Sequence, residues 1–480
     1  MSTEEVSLDI PPDEFRALGA QIVEMMLEAV QAEQAGPVLR QISGQHMHRL
    51  LEEPLPEEEG DAAETFALWR EYILPFCRRN GHPRFFGYVC TSADPLGMFA
   101  DALASAVNQP VTAWRSAPSA TEMERLAVRW LDTLTGFNGN GGLLVSGGSS
   151  ANFHGLACAV THTERTSGLR PGSRDRLTVY LSREGHVSMK KALLLMGLPP
   201  ENIRLLEIDG RRRMNTDALR RRIDEDRAAG FTAAAVCASA GTANTGAIDA
   251  IDEIAEICKQ YSIWYHIDGS YGAPAVTTEA YRWMAGAFAR ADSLSLDPHK
   301  WLFVPVDTGC ILVRDESASR HAFSLASEYT AITQTDPIEQ YALFDHGLEL
   351  SRRFRGLKVW TILKSRGLGK IRAAIQHDIE LRRYLDERIE KESLLEPLGS
   401  ELSITCFRYV PENSSSRDEL NKLNRHITDT IIAEGRCYMS PTELDGRYSL
   451  RVCIVNFRTC KEDVDFLIDE VIRVGNEALS

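Results

Sequence analysis

Several things are missing from this 480-residue chain, and each absence removes a class of function. No uninterrupted apolar run approaches the length needed to cross a bilayer, so a helical membrane protein is not expected. There is no basic tract or basic helix face, and the formal charge is -15, which argues against nucleic acid or an anionic membrane as partner. Any anionic ligand must therefore be held locally. The ten cysteines form no CxxC pair, so neither a disulfide framework nor a zinc site is expected, and no metal is implied. Most, such as Cys237 in AAAVCASA, read as small core residues. The opening MSTEEVSLDIPPDEF lacks the basic and apolar regions of a secretory leader, and a cytoplasmic location is the expectation. No internal repeat or low-complexity segment occurs.

What is present is the composition of an ordinary globular protein, 44% hydrophobic and 25% charged, with length for two or three structural units. Phe15, Leu18, Ile22, Met25 and Ala29 recur at helical spacing and predict an amphipathic helix that must cover something. The acidic EEPLPEEEGD at 52–61 reads as an exposed loop. Residues 1–89 are accordingly expected to form an N-terminal helical segment packed on the main body or on a second subunit. From about residue 90 the chain alternates helical patterns with short apolar runs. These runs are GLLVS (142–146), LTVYL (177–181), IRLLEI (203–208), AAAVCAS (233–239), IWYHID (263–268) and DSLSL (292–296). The pattern predicts an α/β domain over 90–366 with a largely parallel sheet covered on both faces. Beyond SRGLGK a long helix, KIRAAIQHDIELRRYLDERI, leads into SITCFRYV, LNRHITDTIIAEG and YSLRVCIVNF, read as a smaller α+β unit over 367–480.

Sheets of this kind bind ligands beyond the carboxyl ends of their strands. In ADSLSLDPHKWLFVP (291–305) a lysine, Lys300, follows such a strand among apolar neighbours. A lysine there either snorkels to water or serves as a nucleophile whose amine a dry pocket keeps partly neutral. The other strand ends bear on the choice. Gly147-Gly148-Ser149-Ser150-Ala151-Asn152 follows GLLVS, a turn into a helix start that suits an anion such as phosphate. His186 follows LTVYL in SREGH, and Thr242 lies in GTANTG after AAAVCAS, offering hydroxyl donors in the same layer. Asp268 ends IWYHID, and a buried carboxylate there calls for a cationic partner.

Two chemistries use these residues. The GGSSA turn is one residue from a G-x-S-x-G elbow, and Asp268 followed by His299 completes the chain order of a serine hydrolase. That reading leaves Lys300 without a role and lacks an HGGG-type oxyanion motif. Pyridoxal 5'-phosphate accounts for all four features. Its phosphate suits the Gly148-Ser149 turn, its protonated ring nitrogen suits Asp268, its aldehyde suits Lys300, and its flat ring suits a stacked His186.

HIDGSYGAPA followed by SLSLDPHKWLFVPVDTGC resembles the group II pyridoxal-phosphate decarboxylases, the family of aromatic L-amino acid decarboxylase and, more distantly, glutamate decarboxylase. The resemblance extends through HPRFFGYVCTSADP, SAVNQPVTAWRSAPSATEMER, SRRFRGLKVW and YSLRVCIVNFRT. It implies a fold-type-I architecture and a homodimer with shared active sites. It makes Lys300 the Schiff-base lysine, Asp268 the pyridinium partner and His186 the stacking residue. It puts Gly148, Ser149 and His299 near the phosphate, Thr242 near the ring and Ser270 beside Asp268. Tyr88 and Thr91 fall near the substrate side chain, Pro110 and Thr112 reach over from the partner subunit, and Tyr329 is the catalytic tyrosine of a mobile loop. Asp297 stands where many members have asparagine, adding negative charge close to the expected phosphate, and Thr112 stands where the animal aromatic enzymes have phenylalanine. The implied reaction is decarboxylation of an L-amino acid, with an aromatic substrate favoured. Acidic or other small amino acids and a decarboxylation-linked oxidative deamination stay open. Tyr329 favours simple amine formation, because members with phenylalanine there tend to release aldehyde.

Overall fold

The computed structural model describes residues 8–170, 172–325, 336–412 and 416–480; Tyr329 lies outside the described residues. Twelve strands are described. β1 is Phe85–Phe86, β2 Gly141–Val145, β3 Leu177–Ser182, β4 Ile203–Leu206, β5 Thr232–Ser239 and β6 Trp264–Asp268. β7 is Ser293–Leu296, β8 Gly309–Val313, β9 Leu395–Glu401, β10 Ile404–Tyr409, β11 Tyr438–Leu444 and β12 Arg447–Cys453.

β2 to β8 make one sheet in the order β2-β8-β7-β6-β5-β3-β4. β4, β3, β5, β6 and β7 pair in parallel, and β8 runs antiparallel to both β7 and β2. The continuous apolar runs of the sequence are explained by burial on both faces, which only crossover helices provide. Val236, Ile267 and Leu294 pack into one core layer and Val179, Leu181 and Cys237 into the other. Ile267 and Leu294 are fully buried, and side chains of this size contribute about 1.5–3 kcal/mol each. β8 was not anticipated, since GCILV follows the Lys300 turn so closely that it reads as its continuation.

The smaller sheet, in the order β1-β11-β12-β10-β9, has its own core around Phe407, Leu450 and Ile468. Its edge strand β9, LEPLGSE, was also missed, because proline, glycine and exposed polar residues leave no apolar alternation. β1 pairs in parallel with β11, so the chain just before Tyr88 is tied to the C-terminal sheet. The SRGLGK break is a bend: helical stretches between Arg355 and Lys391 join at Gly367, whose φ of 72° and ψ of 153° leave helical space. The N-terminal stripe forms the helix Pro12–Ala32, of which only Met25 is buried; Phe15, Val23 and Leu27 stay exposed. Among the described residues no helix is long and apolar enough to cross a membrane.

Candidate active site

The carboxyl ends of the large sheet open into a cavity of about 940 Å³. Its wall brings together Gly148, Ser149, His186, Thr242, Asp268, Ser270, His299 and Lys300, with Tyr88 and Thr91 at the side. Pro110 and Thr112 are not part of this wall. Pro110 is exposed, and the Thr112 hydroxyl pairs with Ser116 Oγ at 2.6 Å.

Strand periodicity positions Asp268. Trp264, His266 and Asp268 alternate onto one face of β6, and the register sets His266 beside Ser293 and Asp268 beside Ser295 of β7. The helix Gly148–Thr166 lies over that face and approaches it closely at Gly155, where a Cβ would stand 2.7 Å from His266 Nδ1. This contact delivers Asn152 to the strand. Its Nδ2 donates to Asp268 Oδ2 at 2.9 Å, while its Oδ1 lies 3.0 Å from His266 Nε2. The network has one consistent direction. Trp264 Nε1 donates to Ser293 Oγ at 2.9 Å, Ser293 donates to His266 Nδ1 at 2.8 Å, and His266 Nε2–H donates to Asn152. Burial holds the His266 ring neutral, its pKa lowered to about 4 against the opposing pull of Asp268. Asp268 Oδ1 accepts from the Ser270 N–H and from Ser295 Oγ, each at 3.1 Å. Burial alone would raise the Asp268 pKa; the Ser270 hydrogen bonds and the charges of Lys300 and His186 outweigh it and hold the carboxyl below its ordinary range. The pocket floor therefore presents a fixed anion.

Lys300 departs from the expectation of a dry, partly neutral amine. Its Nζ lies 2.9 Å from Asp297 Oδ2, with 23% of the side chain exposed to the cavity. Burial pulls its pKa down, but Asp297 in direct contact and Asp268 further off more than reverse this, so the amine is held as the ammonium.

The glycine turn is tight because of its neighbours. A Cβ on Gly148 would stand 2.4 Å from Ser270 Oγ and 2.8 Å from Asp297 Oδ2, so only glycine fits. The first chain-internal hydrogen bond of the following helix runs from the Ala151 N–H to Gly147 O, leaving the N–H groups of Gly148, Ser149 and Ser150 without an acceptor among the described residues. Such a helix start is suited to a phosphate. His299 stands against the turn, where a Cβ on Gly147 would lie 3.1 Å from its Cε1. Its Nδ1 accepts from the Thr308 N–H at 3.0 Å. Burial depresses the His299 pKa, opposed by Asp297. His186 caps the helix Val187–Leu195, its Nδ1 accepting from the Ser188 N–H at 3.3 Å. Beyond β5, Thr242 Oγ1 pairs with Thr245 Oγ1 at 3.2 Å.

The serine-hydrolase alternative finds no support in this geometry. The hydrogen bonds of Asp268 go to Asn152, Ser270 and Ser295, that of His299 goes to a backbone N–H, and among the described residues none links His299 to a serine. Reading the sequence also missed Asn152 as a partner of Asp268 and missed Arg451 altogether. Arg451 is 4% exposed and donates to the carbonyls of Tyr88, Ala243 and Asn244 and to Ser440 Oγ, all neutral acceptors. It ties the segment after β1 to the loop after β5. Its only sequence signal is an arginine inside the apolar run YSLRVC.

An anion-binding turn, a fixed carboxylate, a lysine amine and a histidine ring around one cavity fit pyridoxal phosphate in all its functional groups. The close approach of Gly148 to Ser270 and Asp297 is a feature that a plain strand-helix turn does not need, and the free N–H groups common to helix starts here belong to residues of the cavity wall. The arrangement defines a pyridoxal-phosphate enzyme of the α/β class. The pyridoxal-dependent decarboxylase conserved domain matches residues 44–410, and the chain belongs to that family of amino acid decarboxylases. It is 35% identical over 460 residues to the aromatic-L-amino-acid decarboxylase of Bacillus atrophaeus, covering 95% of each chain. It is 30% identical over 461 residues to the phenylacetaldehyde synthase of Petunia hybrida, covering 93% of this chain and 91% of the relative. The structure of Catharanthus roseus tryptophan decarboxylase with L-tryptophan superposes with a TM-score of 0.90 at 25% identity over 98% of this chain and all of that one. The Oryza sativa TDC structure with PLP and tryptamine gives a TM-score of 0.94 at 24% identity, covering 99% and 100% of the two chains. The fold-type-I architecture and the cofactor implied by the sequence are thereby established.

Proposed function

We propose that this decarboxylase acts on an aromatic L-amino acid, releasing carbon dioxide and the corresponding amine. The observation that carries the substrate class is Tyr88 on the cavity wall. Its ring stands 6.0 Å, centroid to centroid, from that of Tyr438, and the Arg78 guanidinium lies 5.0 Å from it. An aromatic side chain matches such a wall in shape and polarity. The names of the relatives in Bacillus atrophaeus and Catharanthus roseus support the same class.

When bound, pyridoxal phosphate supplies the electron-accepting ring. In this proposal Lys300 carries it covalently, Gly148, Ser149 and His299 receive its phosphate, and His186 covers its face. Asp268 keeps the ring nitrogen protonated, held in place by Asn152, Ser270 and Ser295. Thr242 and Ser270 flank the ring, and Tyr88 and Thr91 meet the substrate side chain. Tyr329 is proposed, on the resemblance, to return a proton to the substrate's Cα. Pro110 and Thr112 are assigned to the partner subunit's site. A homodimer is supported by exposed apolar side chains on the helix Pro95–Val107, where Phe99, Leu103 and Val107 face outward, and by the uncovered stripe of the N-terminal helix. The divisions 1–89, 90–366 and 367–480 are kept as the proposed units. The acidic composition and ten free cysteines support a cytoplasmic location.

Carbon dioxide release measured across the common L-amino acids tests the substrate. Tyrosine, tryptophan or dihydroxyphenylalanine is expected to lead, and a strong preference for glutamate or aspartate would overturn the reading. The aldehyde-forming alternative is favoured by the Petunia relative's name. Assaying amine, aldehyde and peroxide together in air decides it: wild type is expected to give amine, and Tyr329→Phe to lose amine and gain aldehyde.

A further inference from the structure

The carboxylate of Asp297 has no place in the roles above. The residue is 1% exposed, its Oδ2 faces Lys300 Nζ at 2.9 Å, and its Oδ1 is buried with no hydrogen-bond partner among the described residues. Its backbone is what holds the turn, with its N–H on Ser270 O and its carbonyl accepting from the Lys300 N–H. An unsatisfied buried oxygen is costly, a cost that Glu33, Glu124, Asp307 and Asp378 also carry; what sets Asp297 apart is its placement against the cavity. The same carboxylate lies against the anion turn, close enough that a Cβ on Gly148 would stand 2.8 Å from Oδ2. One carboxylate thus faces both groups the cofactor must meet, the amine and the phosphate turn.

We propose that Asp297 is a positioning residue that governs cofactor capture, holding the Lys300 amine as its ammonium until pyridoxal phosphate arrives and opposing entry of the phosphate dianion. The proposal rests on the assignment of Lys300 as the cofactor lysine. Only a neutral amine attacks the aldehyde carbon. The C=N bond forms, the aldehyde oxygen leaves as water, and the extra proton of the ammonium passes to solvent base. An ion pair that stabilises the ammonium therefore slows capture at neutral pH, and capture accelerates as pH rises. The groups that set this balance around Lys300 are Asp297, Asp268 on β6, Cys90 after β1 and the adjoining His299, with His186 acting on Asp268. Asp297 is the one in direct contact. Removing its charge leaves Asp268 to hold the lysine more weakly.

The test uses full-length wild type, Asp297→Asn and Asp297→Ser, each stripped of cofactor and checked for fold by circular dichroism. Each is mixed with pyridoxal phosphate from about pH 6 to pH 9, and the visible band of the lysine-linked cofactor is followed in time. Both variants are expected to capture the cofactor about tenfold faster than wild type at neutral pH, with the pH profile displaced about one unit toward acid. A second readout needs no covalent step: 4-deoxypyridoxine phosphate, which has no aldehyde, is expected to bind both variants more tightly. Equal capture rates with unchanged profiles, or slower capture, would overturn the role of Asp297. Absence of any visible band in wild type would overturn the Lys300 assignment and this proposal with it.

Discussion

Asp268 and Asp378 are both buried, one at the floor of the cavity and the other behind the Lys300 turn, yet their carboxyls are driven in opposite directions. Burial raises the pKa of each; at Asp268 the Ser270 hydrogen bonds and the charges of Lys300 and His186 reverse it, and the group stays ionised. At Asp378, on the long bent helix, the hydrogen bonds from the Trp301 indole at 2.8 Å and from the Asn456 backbone do not, and the carboxyl rises well above its ordinary range. Trp301 follows Lys300 directly and stacks on Tyr271 with ring centroids 5.1 Å apart. The lysine turn is thus gripped from behind by a carboxyl pushed toward its neutral form and faced in front by one, Asp268, pushed toward its charged form. Depth of burial does not fix the state of a carboxyl; the number of donors and cations aimed at it does.

The sharpest way to break the comparison is to remove the charge at Asp268. Asp268→Asn is expected to fold and to lose turnover about a hundredfold, the scale of one charge-assisted hydrogen bond to a ring cation. The loss belongs in kcat with cofactor occupancy held equal. Turnover near wild type under that condition would remove Asp268 from the reaction.

Removing one donor instead of the charge should give a graded effect. Asn152→Ala leaves the His266 Nε2–H and one Asp268 oxygen without partners, costing about 1–3 kcal/mol of stability and about tenfold in turnover. The pH profile separates this from a merely structural role. Asp268 loses the Asn152 donor, and because a hydrogen bond to the charged form favours that form, the acid limb of activity should move to higher pH. A variant destabilised but with an unmoved acid limb would show that Asn152 only packs.

Much of this was legible in the sequence because parallel strands advertise themselves as apolar runs and place chemistry at their ends. Asp268, Lys300 and the Gly147-Gly148 turn each follow such a run, and the cavity gathers all three. Asn152 was hidden because its partner lies 116 residues away and only the approach of the helix at Gly155 joins them. Arg451 was hidden for the same reason, its acceptors coming from the segments after β1 and β5 and from β11. The state of Lys300 was misjudged because a run of apolar neighbours signals dryness and says nothing of a carboxylate folded back three residues away.

The smallest effect is expected at Asp378 and appears in stability. A carboxyl whose folded pKa is raised keeps a proton that the unfolded chain has lost. Stability is therefore greatest below the unfolded value, 3.8, and declines as pH rises from there toward the folded pKa. Within that window each pH unit costs about 1.4 kcal/mol. Asp378→Asn keeps an acceptor for the Trp301 indole and does not titrate. The variant should match wild type or fall slightly below it near pH 5, and should exceed it by about 1–2 °C in Tm near pH 8. Melting both proteins across that range at matched protein concentration checks the sign. Parallel curves would mean that the Asp378 carboxyl ionises inside the fold, and the contrast with Asp268 would then rest on geometry alone.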